Sequence, residues 1–150
     1  MPDTDLIQLY SKRILALAAD IPLTRPLDGA PDGAAKKRSP LCGSTVSVAL
    51  RVEDGQISEF AQDVKACALG QASAAVLGGV VIGRTRDEIA SGRNALHAML
   101  KAGAEPPGAP FDGLEVLAPA KDYKNRHASI LLAWDATLAA LDEAAAQRVG

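Results

Sequence analysis

The segment from Ala68 to Ile82 consists almost entirely of small and aliphatic residues. Five of them recur at helical spacing, namely Ala72, Ala75, Val76, Gly79 and Val80. This pattern predicts a helix that is largely buried, with side chains small enough for close packing against its neighbours. Only 3% of the residues are aromatic although 48% are hydrophobic, so the core must be built mainly from Ala, Val, Leu and Ile.

Two strand patterns precede this helix. Apolar side chains alternate along the first, at Val46, Val48, Leu50 and Val52, and recur along the second, at Ile57, Phe60 and Val64. The turn residues Glu53-Asp54-Gly55 lie between the two patterns. The sequence therefore predicts an antiparallel hairpin with one buried face.

Three further segments have helical periodicity. Residues 3–19 read as an amphipathic helix that ends before Pro22. Thr85 and Glu88 form the Thr-x-x-Glu pattern of a capping box, which predicts a helix from 86 to about 101. In the last segment, one face carries Ile130, Trp134, Leu138 and Leu141. We expect this helix to dock on the sheet.

Two segments are rich in Pro and Gly. Residues 21–40 are expected to form a flexible loop. It contains the basic run Lys36-Lys37-Arg38, which we interpret as solvated, docking of an acidic partner surface being the alternative. Residues 102–126 are expected to form an ordered excursion or a short helix. The whole chain, 1–150, is expected to be a single domain.

Composition excludes several functions. The 16 Lys and Arg against 18 Asp and Glu give a net charge of −2, which argues against a nucleic-acid binder. No apolar run reaches the roughly 18 residues of a membrane span, and the acidic start Met1–Asp5 is unlike a secretory signal, so we expect a cytoplasmic protein. Gly78–Thr85 resembles a phosphate loop, but a helical run precedes it instead of a strand, and capping explains Thr85 better.

The chain has two cysteines, too few for a disulfide framework. Cys42 directly precedes the first strand, and Gly43 allows a bend there. Cys67 stands where a strand gives way to a helix, a position that favours the thiolate. The alternative is that both are buried packing residues, since free cysteines are among the most buried residue types. Their separation of 25 positions does not match the short spacing of zinc motifs.

Two histidines complete the candidates. His127 lies at the junction between the second Pro/Gly-rich segment and the final helix, and an imidazole completes many thiolate metal sites. Its alternative interpretation is a surface or capping residue. His97 lies within a helix without a ligand pattern and is interpreted as structural.

Four motifs in this order resemble one known family. They are Pro40-Leu41-Cys42-Gly43, Cys67-Ala68-Leu69-Gly70-Gln71-Ala72-Ser73, Gly83-Arg84-Thr85-Arg86-Asp87-Glu88 and His127-Ala128-Ser129-Ile130-Leu131. The chain resembles the iron-sulfur cluster assembly scaffolds of the IscU, SufU and NifU N-terminal type over roughly residues 5–142. The resemblance implies an α+β fold, a small antiparallel sheet of about three strands packed against several helices, and no enzymatic activity.

In that family, three cysteines and an aspartate surround the site where a cluster is assembled or zinc binds. Cys42 and Cys67 match the first two cysteines, whereas Ser44 replaces the aspartate and is a poorer ligand. The third cysteine is missing. Ala128 replaces it in the IscU register, and Ser129 replaces it in the SufU register set by Tyr123, Arg126 and Trp134.

The resemblance implies a scaffold or carrier that binds iron, a labile iron-sulfur cluster or zinc through Cys42, Cys67 and His127. Ser44, Arg126 and Ser129 would border the site. Two thiolates and one imidazole leave a position for a partner, a small thiol or water. The implied partners are a cysteine desulfurase and apo-protein acceptors, and dimerisation on cluster binding is left open.

Two other functions remain as alternatives. One is a divergent, metal-free adaptor that keeps the fold and binds a desulfurase or another assembly partner. The other is an enzyme in which Cys67 is a nucleophile assisted by His127, although no third orienting carboxylate can be placed.

Overall fold

The computed structural model describes residues 11–40 and 43–149. In chain order its elements are α1 (Lys12–Ala19), β1 (Gly33–Arg38), β2 (Thr45–Glu53), β3 (Gln56–Lys65), α2 (Ala68–Val80), α3 (Arg86–Ala102), a 3-10 helix (Asp112–Asp122) and α4 (Lys124–Val149). The predicted α+β class is confirmed. The helix predicted over 3–19 is confirmed for its second half, because residues 3–10 lie outside the described part of the chain.

The sheet has the order β1-β2-β3, with both pairs of neighbours antiparallel. The predicted hairpin is β2 and β3, joined at the pair Glu53 and Gln56. Asp54 and Gly55 between them have positive φ angles of 54° and 78°. This is the conformation that a tight two-residue hairpin turn requires, and Gly adopts it without steric cost.

The expectation of a loop throughout residues 21–40 is wrong for β1, which includes the basic run Lys36-Lys37-Arg38. β1 is an edge strand whose inward positions are Gly33, Ala35 and Lys37, paired with Leu50, Val48 and Val46 of β2. These small and charged residues carry no apolar alternation, so the strand cannot be recognised from its pattern. Gly33 is required by packing, since an added Cβ would lie 2.0 Å from the Ala140 carbonyl oxygen.

The other predicted helices are confirmed. The small-residue helix is α2, and its middle is buried from Ala72 to Gly78. Thr85 and Glu88 cap α3 reciprocally, with the Thr85 side chain accepting from Glu88 N and the Glu88 side chain accepting from Thr85 N. The excursion at 102–126 holds the 3-10 helix, whose buried Leu114, Leu117 and Ala120 anchor it to the core.

α4 is the central helix of the molecule and packs on β1, β2, α2 and α3. Ile130 and Trp134 are buried completely, and Leu141 nearly so, as the predicted apolar face requires. This confirms that the last helix docks on the sheet. No helix in the described ranges combines the length and apolarity needed to cross a membrane.

Candidate functional site

Cys67 occupies the junction between β3 and α2. It is the N-cap residue of α2, with extended backbone angles (φ −66°, ψ 170°), and its side chain makes no capping hydrogen bond. The thiol is free and partly exposed. The predicted placement at a strand-to-helix junction is therefore confirmed, and the sulfur lies at the end of the helix where the dipole favours negative charge.

Two serine hydroxyls adjoin this sulfur. Ser129 Oγ, on the second turn of α4, lies 3.6 Å from Cys67 Sγ. Ser44 Oγ, immediately before β2, lies 3.1 Å from Ser129 Oγ. Both serines are buried, at 5% and 1% exposure for Ser44 and Ser129. Three elements distant in sequence thus bring one thiol and two hydroxyls into a continuous polar cluster.

A close contact between α2 and α4 fixes this cluster. Ser73 Oγ donates to the Ile130 carbonyl at 2.7 Å, and Trp134 Nε1–H donates to Ser73 Oγ at 3.1 Å. Gly70 allows the helices to approach, since an added Cβ would lie 2.6 Å from Ser129 Oγ. Sequence reasoning assigned no role to Gly70 or Ser73, and the signal was the small-residue stripe on which they lie.

The loop between β1 and β2 brings Ser44 to the cluster. Ser39 N donates to the Ser44 carbonyl at 2.8 Å, and Gly43 N donates to the Ser39 carbonyl at 3.0 Å. Gly43 has a φ of 70°, the bend expected from the sequence. Cys42, the other predicted ligand, belongs to this loop but lies outside the described residues.

Ala128 and Ser129 lie on different sides of α4. Ser129 faces Cys67 and Ser44, whereas Ala128 lines a groove on the side of β1 and α3. Arg126 precedes Ser129 by three positions, so both lie on one face of the helix, and Arg126 is partly buried. The SufU register, in which Ser129 stands for the missing cysteine, agrees with this placement.

His127 is buried, at 1% exposure, and joins α4 to the 3-10 helix. Its Nε2 lies 2.8 Å from the Ala120 carbonyl oxygen, an acceptor that requires a proton on Nε2. Nδ1 is buried without a hydrogen-bond partner among the described residues. Burial lowers the pKa of His127, since the cationic ring loses its hydration, and the nearby Lys101 lowers the pKa further.

The described residues contain no group of three or more His, Cys, Asp and Glu side chains placed to hold a metal ion. Residues two positions apart on an α-helix point to nearly opposite sides, so His127 and Ser129 do not share a face. The hydrogen-bond partner of the Cys67 sulfur is the Ser129 hydroxyl, and that of the His127 ring is a backbone carbonyl. The described geometry thus provides no Cys–His pair for nucleophilic catalysis.

No protein-family model matches the chain. Individual proteins do match. The chain is 41% identical to the N-terminal NifU-like protein from Brucella abortus, with a TM-score of 0.91 over 95% of this chain and 99% of that one. A SUF-system scaffold protein from Fervidobacterium islandicum AW-1 shares the fold, with a TM-score of 0.80 at 21% identity over 90% and 98% of the two chains.

A curated relative extends the comparison. Over 112 residues the chain is 24% identical to the iron-sulfur cluster assembly scaffold protein IscU of Streptococcus pyogenes serotype M1, covering 75% of this chain and 70% of that protein. The fold and the 41% identity to the NifU-like protein together define the scaffold class. The chain belongs to the IscU/SufU/NifU-type family of iron-sulfur cluster assembly scaffolds. Proteins of this family are scaffolds and not enzymes.

Proposed function

We propose that this protein is a scaffold or carrier on which an iron-sulfur cluster is assembled or passed on, with Cys42 and Cys67 as its thiolate ligands. The observation that carries the proposal is the polar cluster of Cys67, Ser44 and Ser129. Ser44 and Ser129 stand at the two family positions that lack their usual ligands. The cluster of iron and sulfide is cargo for such a protein, and the thiolates hold it during transfer.

The position of Cys42 in the sequence supports its participation. Cys42 precedes Ser44 by two residues along the chain. Ser44 in turn contacts Ser129, which contacts Cys67. The second predicted thiolate ligand is therefore a near neighbour in sequence of a residue in the polar cluster.

Ser129 is the residue that we assign to the position of the missing third cysteine. A hydroxyl stays protonated at neutral pH and binds iron poorly compared with a thiolate. The site therefore supplies fewer strong ligands than a cluster with four ligands requires, and a partner or a small thiol completes it. We infer that the cluster is held transiently.

His127 stays in the proposal as the predicted third protein ligand. The Ala120 carbonyl holds the proton on Nε2, which leaves the lone pair on Nδ1. A metal-bound histidine is commonly oriented in this way by a backbone carbonyl. Coordination beside Cys67 would require the first turn of α4 to move, because Ser129 is the α4 residue that faces the sulfur.

The decisive experiment is anaerobic reconstitution with ferrous iron and sulfide, followed by absorption and Mössbauer spectroscopy. We expect about one two-iron cluster per chain or per dimer, and its loss in Cys42→Ala and in Cys67→Ala. His127→Gln should lower the occupancy if Nδ1 is a ligand. Parallel loading with zinc tests whether the same thiols bind that metal. A wild-type protein that binds neither iron nor zinc would refute the proposal.

A matched pair of variants tests the position of the missing ligand. Ser129→Cys should give a longer-lived cluster, because it places a third thiol beside Cys67. Ala128→Cys adds the same thiol on the groove side of α4 and should leave the lifetime unchanged. A longer cluster lifetime in Ala128→Cys but not in Ser129→Cys would assign the position of the missing cysteine to Ala128 instead.

A metal-free adaptor is the second candidate function. The observation that favours it is the contact between Ser44 and Ser129, which lets the two hydroxyls satisfy one another without a metal. The partner in either case is a cysteine desulfurase, and the place of action is the cytoplasm. Desulfurase binding that survives the double variant Cys42→Ala, Cys67→Ala, together with a wild type that takes up no metal, would establish the adaptor.

A further inference from the structure

A groove of about 530 Å³ runs along the side of α4 opposite to Ser129, between β1 and α3. Its floor is one face of α4, from Ala128 through Leu131, Asp135 and Leu138 to Asp142. These positions recur every three or four residues, so they form a continuous stripe of about 20 Å. The floor is thus mostly apolar and long enough for a short peptide segment.

The rim of the groove is basic. Lys37 and Arg38 approach from β1, and Arg93, His97 and Lys101 approach from α3. Lys37, Arg38 and Lys101 are exposed and make no ion pair within the described ranges. Lys37 and Arg38 belong to β1, the edge strand that the sequence pattern did not predict.

The acidic residues of the floor do not neutralise these three cations. Asp135 accepts from Arg93 Nε at 2.9 Å, and Asp142 accepts from Arg86 Nε at 2.7 Å. Each carboxylate therefore already has a partner of opposite charge. The uncompensated charge of the groove is positive, and a bound segment must be acidic to complement it.

We propose that this groove binds an acidic segment of a partner protein in which carboxylates alternate with apolar side chains. The apolar residues would contact Leu131 and Leu138, and the carboxylates would pair with Lys37 and Lys101. An extended segment needs about six residues to follow the stripe. A nucleic acid fits less well, because its sugar-phosphate backbone would pair with the basic rim and leave Leu131 and Leu138 uncovered.

The groove ends at Ser39 and Pro40, the first residues of the loop that carries Cys42. A segment bound along α4 would thus reach the entrance of the loop. Binding itself uses neither cysteine. The proposal therefore goes beyond cluster assembly, and it holds whether or not the thiols bind metal.

The test uses the full, metal-free chain and a fluorescent peptide, acetyl-Asp-Leu-Glu-Leu-Asp-Leu-Glu. Fluorescence anisotropy should detect saturable binding below about 1 mM. Lys101→Glu and Lys37→Glu should each weaken binding about tenfold, since each reverses a rim charge. Lys12→Glu makes the same change in α1, away from the groove, and should leave the affinity unchanged. Equal effects of all three variants, or no binding, would overturn the proposal.

Two further probes test the apolar floor and the class of partner. A peptide with Ser in place of every Leu should bind at least about tenfold more weakly, and Leu138→Ser should reproduce the loss. Equal binding of the two peptides would reduce the interaction to charge alone and contradict the proposal. Tighter binding of single-stranded oligothymidine than of the leucine peptide would also contradict it. Retention of peptide binding by Cys42→Ala, Cys67→Ala separates this result from cluster assembly.

Discussion

The two sides of α4 differ in how completely they are packed. On the side of α2, Trp134 and Ile130 are buried, and Ser73 bonds to both residues. On the side of β1 and α3, Ala128 and Leu138 line an open groove. One helix therefore holds the thiol-bearing cluster rigidly on one side and presents a surface on the other. The contrast teaches that the two sides of a single helix can be packed to different degrees, so that the proposed cluster site and the proposed peptide groove do not overlap.

Trp134→Ala tests the packed side with the largest expected effect. The indole is completely buried and stands edge-on to Phe111, with ring centroids 5.1 Å apart. Its removal leaves a large cavity and takes away the N–H donor to Ser73 Oγ, so the free energy of unfolding should fall by about 3–5 kcal/mol. Urea denaturation measures this loss in the free energy of unfolding. Leu138→Ala on the groove side is the control, and a loss as large as that of Trp134→Ala would refute the comparison.

Gly70→Ala tests the close approach of α2 and α4. The added methyl group would collide with Ser129 Oγ, so we expect a loss of about 1–3 kcal/mol and a displaced Ser129. The matched control is Gly79→Ala in the same helix, where an added Cβ meets nothing within 4 Å. That variant should gain roughly 0.5–1 kcal/mol from helix propensity. If Gly70→Ala were equally stabilising, the approach of the helices would be looser than described.

The ion pair between Arg93 and Asp135 tests the groove side. Both side chains are partly exposed, at 27% and 37%, so water and salt screen their attraction. A double-mutant cycle with Arg93→Ala and Asp135→Ala should give a coupling of about 0.2–1 kcal/mol. The coupling should fall in high salt. A coupling of several kcal/mol would mean that the groove is as firmly built as the packed side.

The pH dependence of the free energy of unfolding tests the burial of His127 at the start of α4. Burial lowers the pKa of His127 below the ordinary value of about 6.5, so the unfolded chain takes up a proton more readily. The contribution of His127 is therefore complete above about pH 6.5 and decreases as the pH falls below it. Metal-free wild type should lose stability between pH 7.5 and 5.5 when measured by urea denaturation. His127→Gln should lose less, and an equal loss in His127→Gln and wild type would contradict the role given to the buried ring.

Local patterns predicted most of the secondary structure correctly. The capping box at Thr85, the turn at Asp54-Gly55 and the buried helix α2 depend on residues adjacent in sequence, so their signals survive without the fold. β1 was missed, because its inward residues Gly33, Ala35 and Lys37 are selected by contact with α4 and by edge pairing instead of by apolar alternation. An edge strand of this kind has no local signature.

The candidate site, like the fold, could be predicted from the sequence only in part. The sequence indicated Cys67 and its strand-to-helix junction, because a change of periodicity marks that position. It left Ala128 and Ser129 as equal candidates for the missing cysteine, since two neighbouring residues cannot be distinguished by order along the chain. The two side chains leave α4 in different directions, and of the two it is Ser129 that contacts the Cys67 sulfur, which is why Ser129 is the residue proposed.

By itself, the sequence determined the class of fold, the helix caps, the hairpin and the resemblance to the scaffold family. These features depend on residue type and on spacing of a few positions. The tertiary structure alone decided that Ser44, Cys67 and Ser129 converge, that His127 contacts Ala120, and that Lys37 and Arg38 of β1 line a groove together with α3. The physical reason is that these relations join residues distant in sequence, and packing around α4 sets the distances between them.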